Sequence, residues 1–241
     1  MLEIKNYTLE YVKGKKAVDD ISLKVNEGDI FGFVGSNGAG KSTTIKSIVG
    51  INHITKGDIL IDEISIKKNP LKYKERIAYI PDEPAVYENI SGIEYLCFIA
   101  DLYDISYEER NKAISYYSQK FMLEKELNDL ISSYSHGMRQ KLMLIAAFIH
   151  NPKVYILDEP FASLDPEAAY VLKEELRKKA SEGKIIFFST HVLEVAEKLC
   201  NKVAIIIKGK IVKTGDMKEV ISDKSLEETF MELVWYIYFV Y

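Results

Sequence analysis

The chain has 241 residues, 47% apolar and 28% charged, and Lys plus Arg (32) against Asp plus Glu (36) leaves a net charge of −4. A globular chain of this length buries a core without staples, which excludes disorder and a disulfide scaffold. A net negative body argues against broad attraction to nucleic acid or anionic lipid and leaves room for a local basic site.

Cys97 and Cys200 are the only cysteines and lack metal-ligand spacing, which fits a reducing compartment. Residues 1–16 hold no apolar stretch of signal-peptide length. The apolar run 234–241 is eight residues long, far short of the ~20 that a spanning helix needs. The chain is expected to be soluble, intracellular, or held at a membrane by something else.

Loose alternation predicts strands over 2–7 and 21–25, and 30–34 is a short apolar run ended by Gly35. A helix pattern over 41–49 stops at Gly50, and strands are expected at 58–61 and 77–80. The character then changes. Ile93, Leu96, Cys97 and Ala100 form one helical stripe, and 108–121 and 138–149 also read as helices. Strand-like runs return at 154–157, 185–189 and 203–207, separated by helical patterns at 166–180 and 192–199. Strands alternating with helices predict an α/β fold: a parallel sheet covered on both faces, with a helical block inserted in the middle.

Gly35-Ser36-Asn37-Gly38-Ala39-Gly40-Lys41-Ser42 fits G-x-x-x-x-G-K-[ST] between a predicted strand and a predicted helix. Glycines let backbone N–H groups curl around a phosphate, and the helix start aims its unsatisfied N–H groups at the same anion. Lys41 supplies a mobile charge toward the terminal phosphates, and the Ser42 hydroxyl can ligate Mg²⁺. The bland alternative, a glycine-rich turn with a solvated lysine, does not require both flanking elements. A second acidic site closes the run Val154-Tyr155-Ile156-Leu157 with Asp158 and Glu159. Carboxylates at the C-terminal end of a parallel strand face the ligand crevice. There Asp158 would hold Mg²⁺ through a water, and Glu159 would orient or deprotonate the attacking water.

With these two sites in place, the chain resembles the ATP-binding-cassette ATPases, the nucleotide-binding subunits of ABC transporters, over about residues 1–233. Ser163-Leu164-Asp165 looks like the family's D-loop, which contacts the opposite subunit, and His191 looks like its switch histidine. Tyr134-Ser135-His136-Gly137-Met138-Arg139-Gln140 stands where the L-S-G-G-Q signature is expected. Tyr11 stands as the aromatic that stacks on adenine, with Val12 at the commoner spacing from Ala17. The resemblance implies a P-loop NTPase core with a small antiparallel β portion (1–81 and 151–222), an inserted helical subdomain (82–150) and an apolar tail (234–241). It also implies a head-to-tail dimer, homo- or heteromeric, sandwiching two ATP molecules. Each ATP would meet Tyr11 and the loop from Gly35 to Thr43 on one subunit, and Ser135 and Gly137 on the other. Mg²⁺ would lie among Ser42, Asp158 and Asp82, with Glu159 and His191 catalytic.

The signature has Tyr134, His136 and Met138 in place of its Leu, first Gly and Gln, while Ser135 and Gly137 remain. The Q-loop glutamine position is Asp82, which accepts hydrogen bonds but does not donate when ionised. Residues 226–233 resemble the closing helix of exporter-type cassettes. Aromatics near Tyr87 are expected to offer a groove to a short helix of a separate transmembrane permease. His53 reads as loop and His150 as a helix C-terminus, where positive charge is mildly favoured. The implied function is ATP hydrolysis powering that permease, leaning toward export, from the inner face of the cell membrane. The competing functions are an ABC-type ATPase acting on nucleic acid or ribosomes, and an ATP-binding regulator with little hydrolysis. A single cassette with net negative charge disfavours the first, and intact Lys41, Asp158, Glu159 and His191 disfavour the second. Lys41→Ala is expected to weaken ATP binding roughly a hundredfold, the worth of about 2–3 kcal/mol for a charge-assisted contact. Equilibrium titration checks this, and wild-type affinity in the variant would sink the phosphate-site assignment.

Overall fold

A computed structural model describes residues 1–12 and 14–239. Two sheets form its frame. The first is antiparallel, in the order β2 (Lys15–Val25), β1 (Leu2–Val12), β4 (Lys56–Ile61), β5 (Ile64–Ser65). The second has six strands, in the order β10 (Lys210–Asp216), β9 (Lys202–Ile207), β3 (Ile30–Val34), β8 (Ile185–Thr190), β7 (Val154–Asp158), β6 (Ile77–Ile80). Its strands are parallel except β10, which returns antiparallel on β9.

Strands β3, β7 and β8 are buried along their whole length. Their unbroken apolar composition follows, because a parallel sheet has cover on both faces. Alternate residues then serve two different cores. Val34, Leu157, Phe188 and Ile205 point into one, with the helices, while Phe33, Ile156, Phe187 and Ile206 point into the other, with the antiparallel sheet. On that second side lies α1 (Lys41–Ile48), followed by the short α2 (Pro70–Lys74) before β6.

Between β6 and β7 come α3 (Gly92–Leu102), α4 (Tyr107–Lys120), a 3₁₀ turn at Ile131–Ser133 and α5 (His136–His150). Ser91 and Glu94 form a reciprocal capping box that starts α3. This insertion shares the sheet's helical-side core: Leu96, Leu142 and Ile145 belong to the same cluster as Tyr155 and Leu157. Phe148 of α5 stands between Tyr117 of α4 (ring centroids 5.2 Å apart) and Tyr155 of β7 (5.7 Å). The crossover from β7 to β8 is α6 (Pro166–Ser181), and that from β8 to β9 is α7 (Leu193–Leu199). After β10 follow α8 (Met217–Ile221) and α9 (Leu226–Phe239).

The long elements lie where hydrophobic period predicts them. The differences are β5, α2, β10 and α8, which are short or half-exposed and so leave little period to read, and β1 and β2, which extend to Val12 and start from Lys15 where 2–7 and 21–25 were expected. Residues 234–239 of the expected tail continue α9. Val234 and Ile237 pack on the helical-side core while Trp235 and Tyr236 face outward; residues 240 and 241 of that tail lie outside the described residues.

His150 corrects an expectation. It does close α5, but its ring stacks on Tyr103 with centroids 3.4 Å apart, and Nε2 lies 3.2 Å from the Glu75 carbonyl. Burial outweighs the helix-end attraction and pushes the imidazole down to about 4, so it stays neutral. A pKa depressed on folding supplies stability above about pH 6.5 that is lost as pH falls toward 4. Linkage over that range gives about 3 kcal/mol, reduced to about 2 by the ring's partial exposure. Urea midpoints at pH 7 and pH 4.5 should therefore separate more in the wild type than in His150→Gln. Equal separations would refute the assignment.

Candidate functional site

The loop from Gly35 to Gly40 joins buried β3 to α1 and is shaped by close backbone approach. A Cβ on Gly35 would lie 2.5 Å from the Ile206 carbonyl oxygen, so nothing larger than glycine fits. Gly38 (φ 76°) and Gly40 (φ 110°) take the left-handed conformation that turns the chain into the helix. No side chain caps the start of α1, and its first N–H groups remain directed at an incoming anion. The Lys208-Gly209 turn between β9 and β10 braces the loop, Gly209 N–H donating to the Ala39 carbonyl at 2.9 Å.

Lys41 is 6% exposed, and its Nζ donates to the carbonyls of Gly35 (2.8 Å) and Ser36 (3.3 Å). The same Nζ stands 3.4 Å from Oε1 of Glu159. Glu159 follows the buried end of β7 with φ 48°, uncommon for a non-glycine residue and typical of strain kept at working sites. Its N–H reaches the Ser189 carbonyl and hydroxyl, both at 3.2 Å. Its Oε2 lies 3.0 Å from His191 Nδ1 and accepts the His191 backbone N–H at 3.2 Å. One carboxylate thus bridges the phosphate-loop lysine and the histidine that follows β8.

Asp158 is 2% exposed, and its Oδ1 accepts from Ser189 Oγ (2.5 Å) and Ser42 Oγ (3.2 Å). Among the described residues no group of three or more His, Cys, Asp or Glu side chains is placed to hold a metal. Mg²⁺ takes one or two protein oxygens and completes its shell with phosphate and water, and the oxygens of Ser42 and Asp158 could supply such a pair. Asp82, just beyond β6, borders the same cleft. Burial, then the charges of Asp158, Glu159 and Glu83, raise its carboxyl above the ordinary range, with His136 acting weakly the other way. An added cation would relieve that repulsion.

Lys41, Ser42, Asp82, Glu159 and His191 line one cleft of about 700 Å³, together with Tyr11, Asn37, Gly38, Gly40 and Thr43, and the buried Asp158 joins it through Ser42. Among the expected loop residues, Gly35, Ser36 and Ala39 are not part of its lining. The cleft also takes in Ala17, and with it Lys15, Lys16, Ala162, Lys208 and Gly209, which the sequence reading did not name. The basic pair at the start of β2 was the available signal. The expected site is therefore cationic within an acidic chain, a field that draws polyanions.

Ser135 and Gly137 lie elsewhere. Ser135 caps α5 with Oγ accepting the Met138 N–H at 3.3 Å, and a Cβ on Gly137 would lie 3.0 Å from the Ser163 carbonyl. Lys141 Nζ pairs with Asp165 Oδ2 at 2.6 Å, so the start of α5 is clamped to the segment before α6. Neither Ser135 nor Gly137 borders the phosphate-loop cleft.

Comparison with known proteins agrees with this geometry. Residues 18–162 match the family model described as ABC transporter. The ABC-type transporter ATP-binding protein EcsA of Bacillus subtilis is 33% identical over 97% of this chain and 96% of its own length. The ABC transporter ATP-binding protein NatA of the same organism is 30% identical over 88% and 87%. A solved ATP-binding subunit of an ABC transporter superposes with a TM-score of 0.92 at 33% identity, covering 97% of this chain and 99% of that one. Gly35→Ala forces an overpacked contact worth about 1–3 kcal/mol against the Ile206 carbonyl. Nucleotide affinity measured by calorimetry should fall about tenfold with Lys41 intact, and unchanged affinity would show that the loop relaxes around the methyl.

Proposed function

The chain belongs to the family of ABC transporter ATP-binding proteins and is an ATPase, and on that premise we propose that it powers a separate membrane permease, in the export direction, through a head-to-tail dimer. The observation that carries the reading is the Glu159 carboxylate, held between Lys41 and His191 above the phosphate loop. As ATP arrives, its phosphates replace the Gly35 and Ser36 carbonyls and the Glu159 carboxylate as partners of the Lys41 ammonium. Glu159 is thereby released to orient water and take its proton as the water oxygen attacks the γ-phosphorus. Ser42 and Asp158 would hold Mg²⁺, with Asp82 nearby, and the ion would supply charge neutralisation at the phosphates. His191 holds the γ-phosphate end. Tyr11 offers a ring face to the adenine.

Ser135 and Gly137, which do not border their own chain's cleft, serve the nucleotide of the second ATP-binding subunit, homo- or heteromeric. Their helix N-terminus closes over its phosphates. Hydrolysis removes the γ-phosphate that joins the two faces, and the dimer opens.

Two apolar features support a permease contact. One is a groove of about 320 Å³ between the end of α1, β6 and helices α3 and α5, lined by Ile51, Ile77, Ile99 and Met143. The other is the exposed Tyr87, set edge-on to Phe98 at 6.0 Å. No helix among the described residues is long and apolar enough to cross a membrane, which supports placing the spanning part on a different subunit and this one at the inner face of the cell membrane. No nucleic-acid partner is expected for a chain of net charge −4.

Mg²⁺-dependent ATP hydrolysis should rise faster than linearly with protein concentration. It should be lost in Glu159→Gln, which keeps ATP binding and accumulates as a dimer on size exclusion. Normal turnover in that variant would remove Glu159 from its role. Tight binding without wild-type turnover at any concentration would favour a heteromeric partner.

A further inference from the structure

The aromatic ring at the mouth of the cleft is held by its far end. Tyr11, the next-to-last residue of β1, is 63% exposed, yet its hydroxyl sits 3.3 Å from Thr43 Oγ1 in the first turn of α1. It also accepts a hydrogen bond from Asn52 Nδ2 at 3.3 Å. The same Asn52 Nδ2 donates to the Thr43 carbonyl at 3.2 Å. One amide group therefore touches both the ring's hydroxyl and the helix that carries the phosphate loop.

Asn52 is itself fixed. Gly50, with φ +75°, ends α1 and turns the chain back along the helix, and the Ile51 and Asn52 N–H groups both bond to the Lys46 carbonyl, at 2.8 and 3.1 Å. Three residues on, Thr55 Oγ1 accepts the Glu10 N–H at 3.1 Å and Thr55 N–H donates to Thr8 O at 3.1 Å. The loop after α1 is thus a bracket bonded on one side to α1 and on the other to β1. A tyrosine at a strand end has two free torsions and an exposed face, so without the bracket its ring would sample several orientations.

We propose that Asn52 is a positioning residue for nucleotide binding: it sets the Tyr11 ring at a fixed distance and tilt from the phosphate loop, so that a purine stacks while its phosphates are seated. The inference rests on the reading that ATP occupies this cleft with its base on Tyr11. The pre-oriented ring lowers the entropic cost of binding the base, and it contributes nothing to the chemistry at the γ-phosphate. Asn52 therefore acts on KM and leaves kcat alone.

The test compares wild type, Asn52→Ala, Tyr11→Phe and the double variant, with Mg²⁺ATP as substrate and inorganic tripolyphosphate as a competitor that has phosphates but no base. Tyr11→Phe keeps the stacking face and deletes only the pinned hydroxyl. Each single variant is expected to raise KM for ATP about fivefold, the size of one net hydrogen bond. Turnover at saturation should stay within about twofold. The double variant should lose no more than either single one, because both cut the same link, and the tripolyphosphate inhibition constant should not move. Unchanged KM in Asn52→Ala, or additive losses, would overturn the proposal. So would equal weakening of tripolyphosphate, which would place the effect in α1 rather than in the ring. Tyr11→Ala separates the two levels: if it leaves ATP affinity intact, the base lies elsewhere and the underlying reading fails. If it weakens ATP while Asn52→Ala does not, the positioning role alone fails.

Discussion

A carboxylate buried to 2% exposure needs hydrogen-bond partners, and Asp158 finds them in the hydroxyls of Ser189 and Ser42. Those two partners stand at the end of β8 and in the first turn of α1. Satisfying one buried carboxyl group therefore draws three chain ends to a point and fixes where the phosphate loop stands relative to the acidic strand. Ser189 has a second task, since its hydroxyl and carbonyl also hold the Glu159 N–H in a left-handed backbone conformation. Glu159 is then aimed at Lys41 and His191 instead of into solvent.

The two cores supply the rigidity behind this point. Each parallel strand gives alternate side chains to opposite faces, so the sheet cannot slide or shift register without burying the wrong residues. The site sits at the C-terminal edge of that sheet, where the strands end together and their loops open one cleft. The helical insertion is tied into the same arrangement through Phe148, which stands between α4 and β7, and through the Lys141–Asp165 pair.

That tie holds the helix start at Ser135 against Ser163 and Asp165 of its own chain, outside the lining of the phosphate-loop cleft. In the dimer proposed above, such a chain would carry two complementary half-sites and close neither alone, and nucleotide would link the copies.

Much of this was legible in the chain as written. A phosphate loop needs glycines at set offsets and a lysine at the helix start, and these requirements are local, so 35–42 shows them without any fold. Buried parallel strands are unbroken apolar runs, which is why 30–34 and 77–80 coincide with β3 and β6 to the residue. Short elements such as β5 and α2 left no period to read. Tertiary packing alone decided the rest, because it depends on which distant segments meet. It made His150 neutral by burying it beside Tyr103, against the charge its helix end would favour. It raised Asp82 by burying it and setting the Asp158 and Glu159 carboxylates near it, and it brought Asn52 from the loop after α1 to the hydroxyl of Tyr11. Burial and proximity between residues far apart in the chain set those properties, and no local pattern encodes them.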